Sequence, residues 1–193
     1  MKKLFLLFLL LAFALPVNAF NPLLVCTGAV ASGGENSYGD TSTTSNYDVY
    51  SNDRIYYEEV EVTTGGTLIE LWFHATDGNS NPAKMALYDD NSGSPGSLVS
   101  GSTSGEEKLT NNSKYWQKFT PSGSPILTDS TTYYIAFWAE NLNVKADRPS
   151  SAASTHYEGE ENLTYTGTFP ATATPSTTHT YDGEYAQYIV VEY

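Results

Sequence analysis

The chain has 193 residues, of which 40% are hydrophobic, with 22 acidic and nine basic side chains. This length fits one domain with a sizeable core, and the net charge of −13 argues against nucleic acid and anionic membranes as partners, because an acidic surface repels phosphate. The single cysteine, Cys26, excludes an internal disulfide.

Residues 1–19 have the three parts of a secretory signal peptide. Lys2 and Lys3 precede an unbroken apolar run over 4–15, Pro16 breaks the run, and Ala19 ends it at a cleavage site. The run is too short for a spanning helix, so the segment predicts no membrane span. We therefore expect a secreted or cell-surface protein; an uncleaved N-terminal anchor is the alternative interpretation.

Residues 20–50 are mostly small and polar, which predicts a loose N-terminal arm or short edge strands. Strand alternation begins in the remainder, 51–193. In 55–62, Tyr56, Val60 and Val62 share one face and the other is largely acidic. In 67–74 the alternation places Ile69, Leu71 and Phe73 on one face, with a turn at 64–66 between the two segments.

Further strands are predicted over 84–88, 97–100, 115–119, 131–140 and 185–193, separated by segments rich in Gly, Asn, Ser and Pro. The alternation in 131–140 is the strongest, with Tyr133, Ile135, Phe137 and Ala139 on one side. Seven or eight short strands without helices between them predict an all-β, two-sheet antiparallel β-sandwich, jelly-roll-like in architecture.

Three segments carry a family resemblance: 85–98 (MALYDDNSGSPGSL), 127–137 (LTDSTTYYIAF), and Phe169-Pro170 with the ending 183–193 (GEYAQYIVVEY). They resemble a jelly-roll-like β-sandwich module of bacterial, archaeal and phage extracellular or surface proteins. Ser130 replaces a glycine of that pattern. The resemblance implies the fold and, by analogy of fold only, a carbohydrate-binding-like role without catalytic residues.

Aromatic residues beside carboxylates on predicted strands give a candidate ligand-binding site. Trp72 shares a strand face with Glu70 and His74, and Trp138 shares one with Glu140. Exposed rings stack on the apolar face of a sugar while nearby polar groups bond its hydroxyls. The competing interpretation is that the tryptophans fill the core of the sandwich.

A calcium site is the second hypothesis. Asp77, Asn79 and Asn81 have the D-x-N-x-N spacing of an oxygen-rich loop, and Asp89 with Asp90 forms a second acidic pair. The rest of an EF-hand is absent, and ordinary Asx turns are the competing explanation. We therefore predict no cofactor other than a structural calcium ion at these loops.

Catalytic signatures are lacking in the sequence. His74, His156 and His179 have no close metal-ligand spacing, and the chain has neither a G-x-S-x-G motif nor a phosphate loop. We therefore expect a non-catalytic module that binds a glycan or polysaccharide. A self-associating surface or adhesion protein is the alternative, and a glycan hydrolase or lyase is the third hypothesis.

Overall fold

A computed structural model of the chain describes residues 33–41, 43, 46–48, 54–76, 80–109, 114–140, 145–147, 153–158, 164–175, 177–182 and 185–193. Residues from Gly34 to Tyr193 form one compact unit. The predicted signal segment, Cys26 and most of the predicted arm lie outside the described residues. Within the described part, no helix is long and apolar enough to cross a membrane.

The regular elements of the described chain are all β-strands. In chain order they are β1 Glu35–Asp40, β2 Asn46–Asp48, β3 Ile55–Val62, β4 Gly66–Thr76, β5 Pro82–Asp90, β6 Pro95–Leu98, β7 Glu107–Lys108, β8 Tyr115–Phe119, β9 Ile126–Leu127, β10 Thr131–Ala139, β11 Lys145–Asp147, β12 Ala153–Glu158, β13 Thr177–Asp182 and β14 Gln187–Glu192.

The strands form two antiparallel sheets. Sheet A has the order β1-β14-β4-β11-β2, with β8 and β9 also paired to β4. Sheet B has the order β13-β12-β3-β10-β5-β6, with β7 paired to β5. The chain passes repeatedly from one sheet to the other, so several connections join the two layers. The predicted fold class, an all-β two-sheet antiparallel sandwich, is confirmed.

The main core lies between the two sheets, and strand alternation predicted most of it. On β10 the inward residues are Tyr133, Ile135, Phe137 and Ala139, as the period of two required. Their partners from sheet A include Phe73, whose ring stacks on Phe137 with centroids 4.0 Å apart.

One residue of β4 departs from the predicted alternation. Val190 pairs with Glu70 but the next residue, Val191, pairs with Leu68, so Ile69 is an extra residue in a β-bulge. Leu68 therefore enters the core, and Ile69, which was expected inside, is only half-buried. The bulge shifts the phase by one residue, which a strict period of two does not anticipate.

A second apolar cluster covers the outer face of sheet B. Residues 164–175, which we term the strap, run across β5, β6 and β10. The strap is fixed by hydrogen bonds from Leu98 N–H to Ala171 O (2.9 Å) and from Ala173 N–H to Gly96 O (2.8 Å). Phe169 of the strap is buried against the outer face of sheet B. Sheet B is therefore apolar on both faces at this point, whereas sheet A has no described strap.

The N-terminal arm contains a strand of the sandwich. β1 pairs with β14 over six residues, from Glu35 opposite Glu192 to Asp40 opposite Gln187. β1 stands at one end of the described order of sheet A. Ser130, at the turn before β10, has a positive φ of 50°. This backbone conformation favours glycine, so a serine at this position carries some backbone strain.

Candidate functional site

Six outward residues of β4, β8 and β14 lie side by side on sheet A. The antiparallel register places Trp72 between Lys118 on β8 and Tyr188 on β14, and places His74 opposite Trp116. Directly opposite residues share a sheet face, with Cβ atoms about 5 Å apart. We call this surface the outer aromatic face; its members are Glu70, Trp72, His74, Trp116, Lys118 and Tyr188.

The rings of the outer aromatic face form one continuous cluster. Trp72 and Tyr188 are nearly parallel, at 11°, with centroids 5.8 Å apart. Trp116 meets Tyr188 edge to face at 5.0 Å and lies 5.0 Å from the His74 ring. Such pairs are each worth about 0.5–1.5 kcal/mol beyond the area they bury. The cluster is therefore a preformed surface that stays half-exposed.

Glu70 links the aromatic cluster to a positive charge. Its Oε2 accepts a hydrogen bond from Trp72 Nε1 (2.7 Å), and its Oε1 lies 3.2 Å from Lys118 Nζ. The Lys118 side chain is 48% exposed and that of Glu70 29%, so the ion pair is wet and holds orientation more than it adds stability. The face thus offers a carboxylate and an ammonium group beside flat rings.

Tyr188 contributes a phenol hydroxyl group to this surface. Partial burial, with a smaller contribution from the nearby Glu70 carboxylate, raises the pKa of the Tyr188 phenol above its usual range. The hydroxyl therefore stays protonated at neutral and mildly alkaline pH, where it both donates and accepts hydrogen bonds. A ring with such a polar end suits a ligand that has an apolar face and hydroxyls at its rim.

The structure separates the five predicted ligand-binding residues. Glu70, Trp72 and His74 lie together on the outer aromatic face, whereas Trp138 lies on β10 of sheet B and Glu140 directly follows that strand. Trp138 is only 2% exposed, so the expectation of an exposed ring at that position is wrong. The strap is the physical reason, because Tyr165 and Phe169 pack edge to face on Trp138, with centroids 5.1 and 5.7 Å away.

Two of the five predicted calcium residues, Asp77 and Asn79, lie outside the described residues. Asn81 accepts a hydrogen bond from Leu109 N–H through its backbone oxygen. The Asp90 carboxylate accepts the backbone N–H of Gly93, three residues along the turn that follows β5, and the Asp89 carboxylate accepts the backbone N–H of Ser97 on β6. Both carboxylates therefore bond to the backbone of the hairpin that β5 and β6 form.

The side chains that the structure describes contain no group of three or more His, Cys, Asp or Glu residues placed to hold a metal ion. A calcium ion at the loop over 77–81 therefore stays a prediction.

Three members of the outer aromatic face, Trp116, Lys118 and Tyr188, were not anticipated as site residues. Trp116 lies opposite His74, whereas Lys118 and Tyr188 both lie directly opposite Trp72, on β8 and β14. The alternation of 185–193 already separated Tyr188 from the inward Ile189, which was a usable signal. The pairing register, which the sequence does not reveal, is what brings both residues to Trp72.

In comparisons with known proteins, no family model matches the chain and no curated protein matches its sequence. What the outer aromatic face can bind is therefore argued from its own chemistry.

Proposed function

We propose that this chain is a secreted, non-catalytic β-sandwich module that binds carbohydrate through the outer aromatic face. One observation carries the proposal: rings from three adjacent strands meet on a half-exposed sheet face, directly beside an oriented carboxylate. The secretory pattern of residues 1–19 and the absence of catalytic motifs from the sequence support the same function.

The chemistry of the face suits a neutral, hydroxyl-rich ligand. A pyranose ring has an apolar face, which stacks on an indole, and a rim of hydroxyls, which need both donors and acceptors. Trp72 and Trp116 supply the rings, Glu70 supplies an acceptor, and Lys118 supplies a donor. The strongly acidic chain disfavours anionic glycans, so we propose an uncharged polysaccharide as the ligand.

Binding rather than hydrolysis is favoured by the state of Glu70. Both of its oxygens already accept hydrogen bonds, one from Trp72 and one from Lys118, which fixes the carboxylate as an orienting group. A glycosidase needs two carboxyl groups about 5–9.5 Å apart across the scissile bond. The neighbours of Glu70 across the sheet are Val190 on β14 and, diagonally, Lys118 on β8.

The test is a binding screen of the protein, expressed from its full coding sequence, against soluble glycans and insoluble polysaccharides. Trp72→Ala and Glu70→Gln alter the outer aromatic face. Tyr193→Ala is the matched aromatic control because Tyr193 is 57% exposed near the chain end, and Glu61→Gln is an exposed carboxylate control on sheet B. Circular dichroism verifies that each variant keeps its β-sheet spectrum.

We expect at least one neutral polysaccharide to bind, and we expect Trp72→Ala to weaken binding at least about tenfold, the equivalent of about 1.4 kcal/mol. The two control variants should bind like the parent. A glycan that binds equally to the parent and Trp72→Ala would refute this surface as the site. Release of reducing ends from a bound glycan would refute the non-catalytic assignment.

Self-association is a second candidate function, which the position of β1 favours. This polar strand ends the order of sheet A, with β14 as its partner among the described strands. A strand at the edge of a sheet is a template for another chain. Size-exclusion chromatography with light scattering tests this candidate: a monomer at all concentrations contradicts it, whereas a dimer lost on Ser37→Pro supports it.

A further inference from the structure

The rings of the outer aromatic face belong to a longer row that crosses sheet A. The register places Trp72 between Lys118 on β8 and Tyr188 on β14, and it places Gly39 on β1 opposite Tyr188. Directly opposite residues share one sheet face, so these four residues form a continuous line, which we call the cross-strand track. Because neighbouring strands lie about 4.8 Å apart, the track is about 14 Å long, which is longer than one sugar ring.

Both ends of the cross-strand track reach a border of the described sheet. β1 ends the described order of sheet A, and β8 is paired with β4 alone among the described strands. The Lys118 side chain is 48% exposed, and Gly39 is exposed as well. The next outward residue of β1, Ser37, is also small and exposed. A chain molecule that lies on the rings can therefore continue past either border.

Gly39 leaves the β1 end of the track without a side chain. Its φ is +118°, and a Cβ at this position would collide with the backbone oxygen of Gln187. Glycine is therefore required by the close approach of β1 to β14. For the surface, the consequence is that Gly39 places nothing beside the Tyr188 ring that would stop a ligand from extending over β1.

The face is closed in the other direction, along β4. Thr76 has the same outward phase as Trp72 and His74 but is only 5% exposed, so the surface is covered beyond His74. On the other side, the β-bulge at Ile69 interrupts the alternation of outward side chains. The rings of β4 thus occupy two outward positions about 7 Å apart, which is half the length of the track.

We propose that the cross-strand track binds internal segments of a linear, uncharged polysaccharide, with the glycan chain lying across the strands. The inference rests on the proposed function and narrows its ligand. A site for single sugars or chain ends needs a wall against the terminal sugar, whereas this track is open at both borders. Lys118 is already paired with Glu70 and the chain is strongly acidic, which disfavours carboxylated or sulfated glycans.

The test measures how affinity depends on glycan length. Isothermal titration of the full protein uses linear oligosaccharides of one to six sugars from the cello-, manno- and malto- series, together with any neutral polysaccharide that binds in the screen. A second set of the same oligosaccharides has the reducing end opened by borohydride, which alters the chain end and leaves the internal sugars intact.

We expect affinity to rise at least about tenfold from one sugar to three, because a longer chain covers more of the track. Reduction of the chain end should leave the affinity of the six-sugar ligand unchanged. A single sugar that binds as tightly as six, or binding that is lost when the end is reduced, overturns the track but leaves carbohydrate binding in place. If no glycan binds at all, the proposed function fails and the inference fails with it.

A variant of the track separates a binding role from a merely structural one. Tyr188→Ala shortens the ring surface, so it should weaken binding of six sugars more than binding of two. Tyr193→Ala is the matched control and should keep the length dependence of the parent. Circular dichroism verifies that both variants are folded. Equal weakening of both ligand lengths in Tyr188→Ala contradicts the track.

The direction of the glycan chain is read from amide shifts in ¹H–¹⁵N spectra. Six sugars should shift the amides of Lys118, Tyr188 and Gly39, which mark the track from border to border. Thr67 and Ile126, which pair with each other beyond the bulge of β4, should not shift. Shifts that extend along β4 to Thr67 and leave Gly39 unchanged would overturn the crosswise orientation.

Discussion

Trp72 and Trp138 differ in burial, and replacing each with alanine should change the free energy of unfolding by different amounts. Trp138 is buried under the strap, whereas Trp72 is half-exposed on the outer aromatic face. We expect Trp138→Ala to lower the free energy of unfolding strongly with no direct effect on ligand contacts. We expect Trp72→Ala to lower it little and to affect mainly glycan binding.

The magnitude for Trp138 follows from its burial. A buried indole removes about 150–250 Å² from water, worth about 4–6 kcal/mol at 25 cal/mol per Å². This is an upper estimate, and measured Trp→Ala losses in cores are about 3–5 kcal/mol. The variant also loses two edge-to-face contacts, with Tyr165 and Phe169. A loss of about 3–5 kcal/mol lowers the melting temperature by about 6–20 °C in a domain of this size.

For Trp72 we expect a loss below about 2 kcal/mol, since the ring is only half-buried and its contacts are with Tyr188 and Glu70. Urea unfolding followed by far-UV circular dichroism measures both variants, with equal m-values as the condition for comparing midpoints. The reasoning is refuted if Trp138→Ala costs less than about 1 kcal/mol, or if Trp72→Ala costs as much as Trp138→Ala.

Three further perturbations test the sandwich. Gly66→Ala should lower the free energy of unfolding by about 2–3 kcal/mol, because the φ of Gly66 is +154° and the added methyl group meets a backbone carbonyl of β14. Gly105→Ala is the control: open space surrounds this glycine, so the substitution should change the urea midpoint little. Glu58→Ala should cost about 2–5 kcal/mol by leaving two buried donors without their acceptor, and Glu58→Gln should restore much of the loss. Burial raises the pKa of the Tyr88 and Tyr165 phenols above the ordinary 10.0, so the unfolded chain loses protons that the folded chain retains. Stability should therefore fall as pH rises above about 10, and a urea midpoint that is flat from pH 9 to 11 would contradict this.

Sequence alternation predicted the central strands because their two faces differ in polarity. It placed Phe137 in the core and Tyr188 outside without any structural information. It failed where neither face is marked by apolar residues. β12 and β13 read ASTHYE and TTHTYD, in which small and polar residues alternate with one another, so no period of two is visible.

The candidate site was harder to predict than the fold, for a physical reason. Alternation assigns Trp72 and Trp138 to the faces of their strands that carry a glutamate, but it does not show what covers a face. The strap that buries Trp138 comes from residues about 30 positions further along the chain. Its sequence, rich in Thr and interrupted by Gly167, Pro170 and Pro175, has the composition of an exposed loop. Contacts of this range become visible only in three dimensions.

The two outer sheet faces differ in a way that favours ligand binding on sheet A. On sheet B the strap covers an outer face that combines large rings with Ala86 and Ala136, and Phe169 packs against the rings of Tyr88 and Trp138 there. On sheet A the Trp72 ring has a polar partner of its own, since its Nε1–H donates to Glu70, which in turn binds Lys118. An aromatic surface whose central indole N–H is bonded in this way can stay in water without a strap, and its flat rings remain available to a sugar.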